Sequence, residues 1–419
     1  MTEPGVRIHA TLAMQCRDRY LRVPFDLPEG ATSFEVTLEV QEADGVVVDL
    51  GCEGPDGWRG WSGGARRSFV VGEDDATPGY LAGGVRAGRW HVIVGLHILP
   101  RDGVDLTVTI STPAARIPDH GRAEPPVRRL ARGSERELPA PEGLRWYSGD
   151  MHAHSLHSDG ALSLWELANE GVSSGLDFLF VTDHNTTSHH GHLRGVGERH
   201  GILLLPGQEV TTHLGHANAY GEIGFVDFRL PAQTWVDVVA ERGGLLSINH
   251  PASGDCSWLH ALKAEPGGVE LYHGSWYADP TSRSVLAWFQ RWRRDVVLLG
   301  GGDFHDRSTP LRPGMPTTWV AAESCTPEAI LEGMRAGRTT ITASAAVEDG
   351  VGRPVHEGAP ILIRETESLL VLDAAGLVLV SGSNRRRMVT GARETVAAPL
   401  MEGPYRLEDS GRMTLALSR

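Results

Sequence analysis

The chain of 419 residues is poor in cysteine and has no long apolar run. Its four cysteines, at positions 16, 52, 256 and 325, form no C-x-x-C pair. This scatter excludes a zinc knuckle and a disulfide scaffold. No apolar stretch approaches the ~18 residues that cross a bilayer. The first ten residues, MTEPGVRIHA, contain no apolar signal core. We therefore expect a soluble cytoplasmic protein with no membrane partner.

Lysine is nearly missing, because Lys263 is the only one and the other basic residues are arginines. Acidic residues (53) outnumber basic ones (39), which gives a formal net charge of −14. A charge of this sign disfavours a nucleic-acid partner. Hydrophobic residues make up 41% of the chain, enough for a packed core. The length predicts two or three domains.

The residue pattern changes along the chain and divides it into regions. Residues 1–112 contain short β-branched runs separated by turn signals, which predict a β-sandwich-like domain. Residues 113–143 are rich in Pro, Arg and Glu and read as a linker. In residues 144–345 apolar strands alternate with helices, which is typical of an α/β domain. Residues 346–419 return to strands and predict a small β-rich C-terminal segment.

Polar side chains stand at the ends of the apolar strands in the α/β region. They are His152, His154, His184, Glu209, His216, His250, Asp303 and His305. The carboxyl ends of parallel strands meet at one face, so residues far apart in sequence can converge there. Imidazole and carboxylate groups together are the ligands of zinc, manganese or iron. More than six candidate ligands imply more than one metal ion, and a carboxylate such as Glu209 can bridge two ions.

Other polar residues near these positions are expected to play lesser roles. The histidines of residues 188–195 (SHHGHLRG) are expected in a solvated loop, and His200 and His260 at the surface. His157 is expected to be structural or to contact substrate rather than to bind metal. Asp183 precedes His184 on the same strand, so its side chain should point the other way and support the structure.

Two hydrolase scaffolds begin with H-x-H on their first strand. Amidohydrolases usually bridge their metals with a carboxylated lysine that precedes two later histidine ligands. Here Lys263 follows His250, so the order is wrong for that scaffold. The remaining order is H-x-H, S-D-G, T-D-H, G-x-E, G-H, N-H-P and D-x-H. This order resembles the polymerase and histidinol phosphatase (PHP) domain over residues 144–345, and within it the carbaryl-hydrolase-like branch.

The resemblance implies a distorted (β/α)7 PHP barrel that holds two or three divalent ions (Zn²⁺, Mn²⁺ or Fe²⁺). It assigns the first metal to His152, His154, Glu209 and Asp303, the second to Glu209, His216 and His250, and the third to Asp159, His184 and His305. Asp159 is a carboxylate where some relatives have histidine, which leaves the occupancy of the third site open.

The implied activity is metal-dependent hydrolysis by a hydroxide that bridges the metals, most simply of a phosphoester. Two alternatives stay open: a carboxylester or carbamate hydrolase on the same centre, and a non-catalytic binding module. The expected partner is a small-molecule ester substrate, and an oligomer is left open. We assign catalysis to Glu209, Asp303 and His305. Substrate binding is assigned to Arg307, His273 and Trp276, with Arg283 as a further candidate.

Overall fold

The structure is a computed structural model that describes residues 6–12, 20–41, 46–279, 283–290, 295–343 and 354–419. Three sequence expectations lie wholly or partly outside these ranges. They are the position of Cys16, both ends of a helix expected over 281–294, and the domain boundary at 345.

The N-terminal region consists of antiparallel strands arranged in two sheets. The strands are β1 Arg7–Leu12, β2 Tyr20–Leu27, β3 Ser33–Val40, β4 Val47–Gly54, β5 Gly57–Gly63, β6 Ser68–Gly72, β7 Gly88–Ile98 and β8 Val104–Ser111. The strand orders are β1-β8-β3-β6 and β2-β7-β4-β5. Buried side chains of both sheets form one core, in which the Phe34 ring lies 5.0 Å from that of Trp90. Strict alternation of buried and partly buried residues in β8 produces this packing. These two sheets with their common core are called the sandwich below; that residues 1–112 form a separate domain stays a prediction.

The remaining strands lie between residues 145 and 418. They are β9 Arg145–Asp150, β10 Phe178–Val181, β11 Leu203–Thr212, β12 Gly215–Tyr220, β13 Leu245–Ile248, β14 Gly268–His273, β15 Val297–Gly301, β16 Thr317–Ala322, β17 Thr339–Thr342, β18 Ile361–Arg364, β19 Ser368–Leu372, β20 Val378–Val380, β21 Arg386–Met388, β22 Arg393–Ala397, β23 Tyr405–Glu408 and β24 Thr414–Ser418. The helices are α1 Leu164–Ser173, α2 His190–His200, α3 Ala232–Glu241, α4 Ser275–Ala278, α5 Val285–Phe289 and α6 Pro327–Arg335.

One mixed sheet of thirteen strands organises this region, in the order β15-β14-β13-β12-β11-β10-β9-β16-β17-β24-β23-β20-β21. Strands β9, β10 and β11 are parallel, as are β13, β14 and β15. Most positions of these strands are buried, and β10, FLFV, is apolar and buried at every position. The α/β character expected from the sequence is confirmed.

The sheet differs from an all-parallel arrangement at two places: β12 runs antiparallel to β11 and β13, and the strands from β16 onwards pair antiparallel, beginning with β16 against β9. The reversal of β12 matters for His216, because the beginning of an antiparallel strand lies where its parallel neighbours end. At the other side, the Thr318 hydroxyl of β16 hydrogen-bonds to both the N–H and the C=O of Gly300 in β15. Strands β15 and β16 are therefore joined by a side chain and not by a ladder of backbone hydrogen bonds. Closure of the sheet into a (β/α)7 barrel stays a prediction.

The C-terminal strands are divided between two sheets. Strands β20, β21, β23 and β24 extend the large sheet through β17, whereas β18, β19 and β22 form a three-stranded sheet of their own. The short apolar runs were correctly read as strands, but their pairing with β17 spans more than seventy residues and carries no local sequence signal.

Helix α2 was not expected, because the sequence predicted a solvated loop there. Its buried residues, Leu193, Val196, Gly197 and His200, nevertheless follow helical spacing. Glycine is a weak helix former and histidine is not usually counted as apolar. The sequence therefore shows no clear helical pattern of apolar residues here.

The chain forms two compact units, each built from three separate segments, which the sequence did not predict. One comprises Met1–Arg122 with two later segments, His154–Ser163 and Asp183–Gly191. The other comprises Ala123–Ala153, Leu164–Thr182 and His192–Arg419. Within the described ranges, no helix is long and apolar enough to cross a membrane.

Candidate metal centre

A buried cluster of imidazoles and carboxylates forms beyond the ends of β9 and β15, around Glu209 within β11. His152 Nε2 lies 3.3 Å from Glu209 Oε1 and 3.1 Å from Asp303 Oδ1. The His152 side chain is fully buried and that of Glu209 is 1% exposed. The structure thus brings together three predicted ligands, the first and last of which are 151 positions apart in the sequence.

Two further imidazoles approach the same oxygen of Glu209. His216 Nδ1 lies 3.2 Å and His250 Nε2 3.3 Å from Glu209 Oε1. The Asn249 side-chain amide donates a hydrogen bond to this oxygen at 2.8 Å. His152, Glu209, His216, His250 and Asp303 are named the Glu209 cluster below. One carboxylate surrounded by three imidazoles is the donor set expected around transition-metal ions.

Backbone strain accompanies two members of the Glu209 cluster. His250 has φ 27° and Asp303 has φ 53°, both in the left-handed region that non-glycine residues seldom adopt. Each such residue costs on the order of 1–3 kcal/mol, and strain of this kind gathers at functional sites. The fold therefore keeps these two side chains aimed inwards at a cost in stability.

The electrostatics of the Glu209 cluster favour an added cation. Burial lowers the pKa of His152, but the charges of Asp303, Glu209 and Glu270 outweigh it and raise the pKa well above its ordinary value. The pKa of His250 is raised in the same way, because Glu209 outweighs burial. Buried carboxylates need a positive neighbour, either protons on these rings or a metal ion. The donor set therefore fits divalent cations.

Glu270 is a functional residue that the sequence reasoning missed. Its Oε1 lies 3.1 Å from His152 Nδ1, and its Oε2 accepts the His250 backbone N–H at 2.9 Å. A carboxylate that holds Nδ1–H leaves Nε2 as the ligand atom. The signal was available: Glu270 is the only charged residue within the apolar strand GVELYH, and it is 2% exposed.

Asp150 fixes the backbone around the Glu209 cluster. Its carboxylate accepts the N–H groups of His152 at 3.0 Å, Gly302 at 2.9 Å and Gly314 at 2.7 Å. Burial raises the pKa of Asp150 to about 6, although these three hydrogen bonds favour the charged form and lower it. One buried carboxylate thus joins the end of β9 to the loop after β15.

A second group of candidate ligands lies in the unit that contains the N-terminal strands. The rings of His154 and His184 stack with centroids 4.4 Å apart, and His184 Nε2 lies 3.5 Å from Asp159 Oδ1. Their ligand atoms lie within 4.8 Å of one another. His154, Asp159 and His184 are named the Asp159 group below. Asp159 is 45% exposed, in contrast to the buried Glu209.

His305 is placed in the other unit, where its Nδ1 lies 2.9 Å from the Asp303 carbonyl oxygen. The sharing of a third metal by Asp159, His184 and His305 stays a prediction. So does the sharing of the first metal by His152 and His154.

The expected substrate residues have other surroundings. His273 Nδ1 accepts the Ser275 N–H at 3.1 Å, so its Nε2–H faces Asp303 Oδ2 at 3.3 Å. This tautomer makes His273 a partner of a predicted ligand. Trp276 is 1% exposed, packs on Tyr272 with ring centroids 4.3 Å apart, and lines a cavity of about 10 Å³, which holds a single water at most. Contact between Trp276 and a substrate stays a prediction.

The two arginine candidates are engaged elsewhere. Arg307 Nε donates to Glu170 of α1 at 2.6 Å, although half of its side chain stays exposed. Arg283 donates to the Arg412 carbonyl oxygen. Phosphate binding by Arg307 stays a prediction, and it requires exchange with Glu170.

Several histidines lie elsewhere than expected. His189 is fully buried, with Nδ1 3.3 Å from Asp183 Oδ2, and His200 is 5% exposed, so neither is a surface residue. His260 is partly buried and bonds Thr212, and burial lowers its pKa to about 4. His157 Nδ1 pairs with Ser188 Oγ at 2.7 Å, a structural contact of the kind expected for it.

No protein-family model matches the chain. Two curated proteins are similar over 64 residues, 15% of this chain. The phosphoribosyl 1,2-cyclic phosphate 1,2-diphosphodiesterase of Eggerthella lenta is 33% identical there, and the 5'-3' exoribonuclease of Haemophilus influenzae 34%. The chain matches about a quarter of the length of these relatives, 24% and 23%.

Among solved structures, the chain is similar to a two-domain protein of Bacteroides vulgatus described as containing a PHP-like metal-dependent phosphoesterase. The sequence identity is 19% and the TM-score is 0.40. The similarity covers 70% of this chain and 91% of that one.

Proposed function

We propose that this protein is a metal-dependent hydrolase of the PHP type that acts on phosphoesters. The observation that carries the proposal is the approach of three imidazoles, from His152, His216 and His250, to one buried oxygen of Glu209 at 3.2–3.3 Å. The Asn249 amide already donates a hydrogen bond to that oxygen, so three further imidazoles around it are more than a structural network requires.

The chain's own residues would divide the work as follows. His152, His154 and Asp303 would hold one ion with Glu209, and His216 and His250 would hold a second. Asp159, His184 and His305 would hold a third. Bound divalent cations supply an activated water, whose pKa falls from ~15.7 towards ~7, and neutralise charge on the attacked oxygen. Glu270 and His273 would orient His152 and Asp303 from behind.

The phosphoester is preferred as substrate because both curated relatives carry the names of enzymes that cleave phosphodiesters. Three ions would also suit a phosphate monoester, which offers three non-bridging oxygens. A carboxylester or carbamate develops charge on one oxygen, for which two ions suffice. This alternative, which follows from the resemblance to the carbaryl-hydrolase-like branch, is an outcome of the test below.

The test combines metal analysis with a substrate panel. Purified protein is analysed for transition metals, then assayed with p-nitrophenyl phosphate, bis-p-nitrophenyl phosphate and 1-naphthyl N-methylcarbamate, with and without added Mn²⁺ or Zn²⁺. We expect at least two metal ions per chain and turnover of a phosphoester. Turnover of the carbamate alone would show that the substrate is a carboxylester or carbamate and not a phosphoester. Less than one ion per chain, with no gain on adding metal, would favour a non-catalytic binding module.

A matched pair of variants ties the activity to the Glu209 cluster. His152→Ala should abolish turnover and remove metal, because it deletes a buried ligand. His9→Ala, an exposed histidine of β1, should behave like the unmodified protein. Turnover retained in His152→Ala would show that the ligand assignment is wrong.

A further inference from the structure

The N-terminal sandwich belongs to the same compact unit as the two loops that carry the Asp159 group. These loops are His154–Ser163 and Asp183–Gly191. The sequence alone indicates no role for the sandwich. The contacts between its turns and these two loops indicate that it supports the Asp159 group.

Arg66, in the turn between β5 and β6, reaches the first loop. Its guanidinium donates to the carbonyl oxygen of Ser158 at 2.9 Å and to that of Leu156. These carbonyls belong to the residues one and three positions before Asp159. The planar guanidinium has several donors in a fixed geometry, so a single side chain can bind both carbonyls at once.

Ser158 is held from the opposite side by Asp183. The Ser158 hydroxyl donates to Asp183 Oδ1 at 2.6 Å, and Ser155 donates to both oxygens of the same carboxylate, from its N–H at 2.8 Å and its hydroxyl at 2.7 Å. These hydrogen bonds give Asp183 the structural role that the sequence predicted for it. The residue before Asp159 is thus fixed at both its side chain and its carbonyl.

The residue after Asp159 is fixed by close packing. A Cβ at Gly160 would lie 2.5 Å from the backbone C and O atoms of His154, so only glycine fits. Asp159 is therefore an exposed carboxylate between two immobile neighbours. Metal binding by a loop side chain costs both backbone and side-chain conformational entropy, and a backbone that is already fixed removes the first of these two costs.

Gly79 of the sandwich holds the second loop in a similar way. Its N–H donates to Ser188 Oγ at 3.0 Å, and its C=O accepts the Thr186 hydroxyl at 2.8 Å. Gly79 has φ +102°, and a Cβ there would lie 2.9 Å from the His157 carbonyl oxygen. Ser188 in turn pairs with His157 at 2.7 Å, which links the two loops.

We propose that Arg66 of the sandwich is a positioning residue for the Asp159 group, holding the 156–159 backbone so that Asp159 can bind a metal ion. The inference rests on the proposed function, in which the Asp159 group binds metal. It gives the sandwich a role in metal binding by the Asp159 group.

The test compares Arg66→Met with Arg67→Met. Methionine keeps an unbranched apolar stem but removes every donor, and the neighbouring Arg67 donates to the Val48 carbonyl within the sandwich. Metal content per chain and the affinity of the weakest-bound ion are measured by chelator competition, with Asp159→Asn as reference. We expect Arg66→Met to weaken that ion by about 10–100-fold, as loss of an outer-shell partner does. Arg67→Met should leave it unchanged.

A double variant and hydrogen exchange separate positioning from general stability. Once Asp159→Asn has lost the ion, adding Arg66→Met should have no further effect on metal binding. The amides of residues 156–159 should exchange faster in Arg66→Met. Arg66→Lys keeps the charge but lacks the planar fork, so it should restore binding only in part. If Arg66→Met does not fold, Arg66→Lys carries the test with the same readouts.

The outcomes are distinct. Wild-type protein without metal, or Asp159→Asn with its full metal content, would overturn the proposed role of the Asp159 group and the inference with it. Metal loss in Asp159→Asn together with unchanged affinity in Arg66→Met and Arg66→Lys would overturn the inference alone. Equal weakening of every bound ion in Arg66→Met would also overturn it, because that would indicate a general loss of stability.

Discussion

The Glu209 cluster and the Asp159 group contain the same kinds of side chain but differ in burial and in what holds them. Glu209 is 1% exposed among buried imidazoles, whereas Asp159 is 45% exposed on a loop. A carboxylate without water needs a cation nearby, and its geometry is fixed by core packing. A solvated carboxylate has no such need, so its geometry must come from the backbone. We therefore expect the first group to bind metal tightly and the second to bind it more weakly.

The largest effect is expected from Glu209→Gln, which keeps the shape of the side chain and removes its charge. Three imidazoles lose their common carboxylate, and two proposed metal ions lose a shared ligand. Turnover should fall by more than the about 100-fold that loss of an outer-shell partner costs. Metal content should fall by more than one ion per chain. Loss of a single ion with turnover retained would show that Glu209 does not bridge.

A smaller effect is expected from Glu270→Gln. The glutamine amide oxygen can still accept a hydrogen bond from the His250 N–H. The negative charge that holds the His152 Nδ1–H is lost with the carboxylate. We expect about a 10–100-fold loss of metal affinity or of kcat, without loss of fold. The measurement is chelator competition followed by kinetics with saturating Mn²⁺. Because Glu270 acts through His152, excess metal should restore part of kcat; failure of any metal concentration to do so would argue for a direct role.

Asp159→Asn tests the exposed side of the comparison. It should remove only the most weakly held ion, so mild chelation of the unmodified protein should reproduce its phenotype. Turnover of p-nitrophenyl phosphate should fall about tenfold, equivalent to ~1.4 kcal/mol. Turnover of bis-p-nitrophenyl phosphate should fall less, since a diester has one fewer oxygen to neutralise. Equal losses on both substrates would show that the Asp159 group does not distinguish monoesters from diesters.

The convergence of the Glu209 cluster could be expected from the sequence because its members stand at or near the ends of strands, and strand ends of a shared sheet converge. Metal binding by these residues stays a prediction. The sequence also located Asp159 and His184, which share a unit. It could not predict that β12 runs antiparallel, because periodicity carries no strand direction. Glu270 was overlooked since a charge inside an apolar strand was read as part of the strand. The burial of Trp276 depends on packing against Tyr272, which local sequence does not encode.

The contacts of Arg66 and Gly79 with later loops lay beyond sequence reasoning for another reason. Both are turn residues of the sandwich, whose last strand ends about forty residues before the first ligand, and nothing in the sequence of a turn indicates its distant partner. The signals that exist are indirect: a glycine with positive φ and an arginine whose charge is partly buried. Neither can be recognised without coordinates.

The smallest predicted effect concerns the electrostatics of the sandwich beside the Asp159 group. Asp49, on β4, has its carboxylate packed near Gly63, Gly64 and Gly95. Burial raises its pKa to about 7, although the charges of Arg67 and His184 oppose the shift. The folded protein therefore binds this proton more tightly than the unfolded chain, in which the pKa is near the ordinary 3.8. Stability should fall as pH rises from about 4 to about 7 and then level off.

Asp49→Asn should remove that pH dependence. At pH 8 the variant should be more stable than the unmodified protein, because it buries an amide instead of a carboxylate. The shift sets an upper bound of about 4 kcal/mol, and partial exposure of Asp49 reduces the expected gain to about 1–2 kcal/mol. Near pH 4, where Asp49 is protonated, the two proteins should unfold at similar urea concentrations. The comparison requires metal-free protein, since a cation beside His184 would itself favour the charged carboxylate. A variant less stable than the parent at pH 8 would mean that charged Asp49 is stabilised by Arg67 and His184, and that the sandwich contributes negative charge to the Asp159 group.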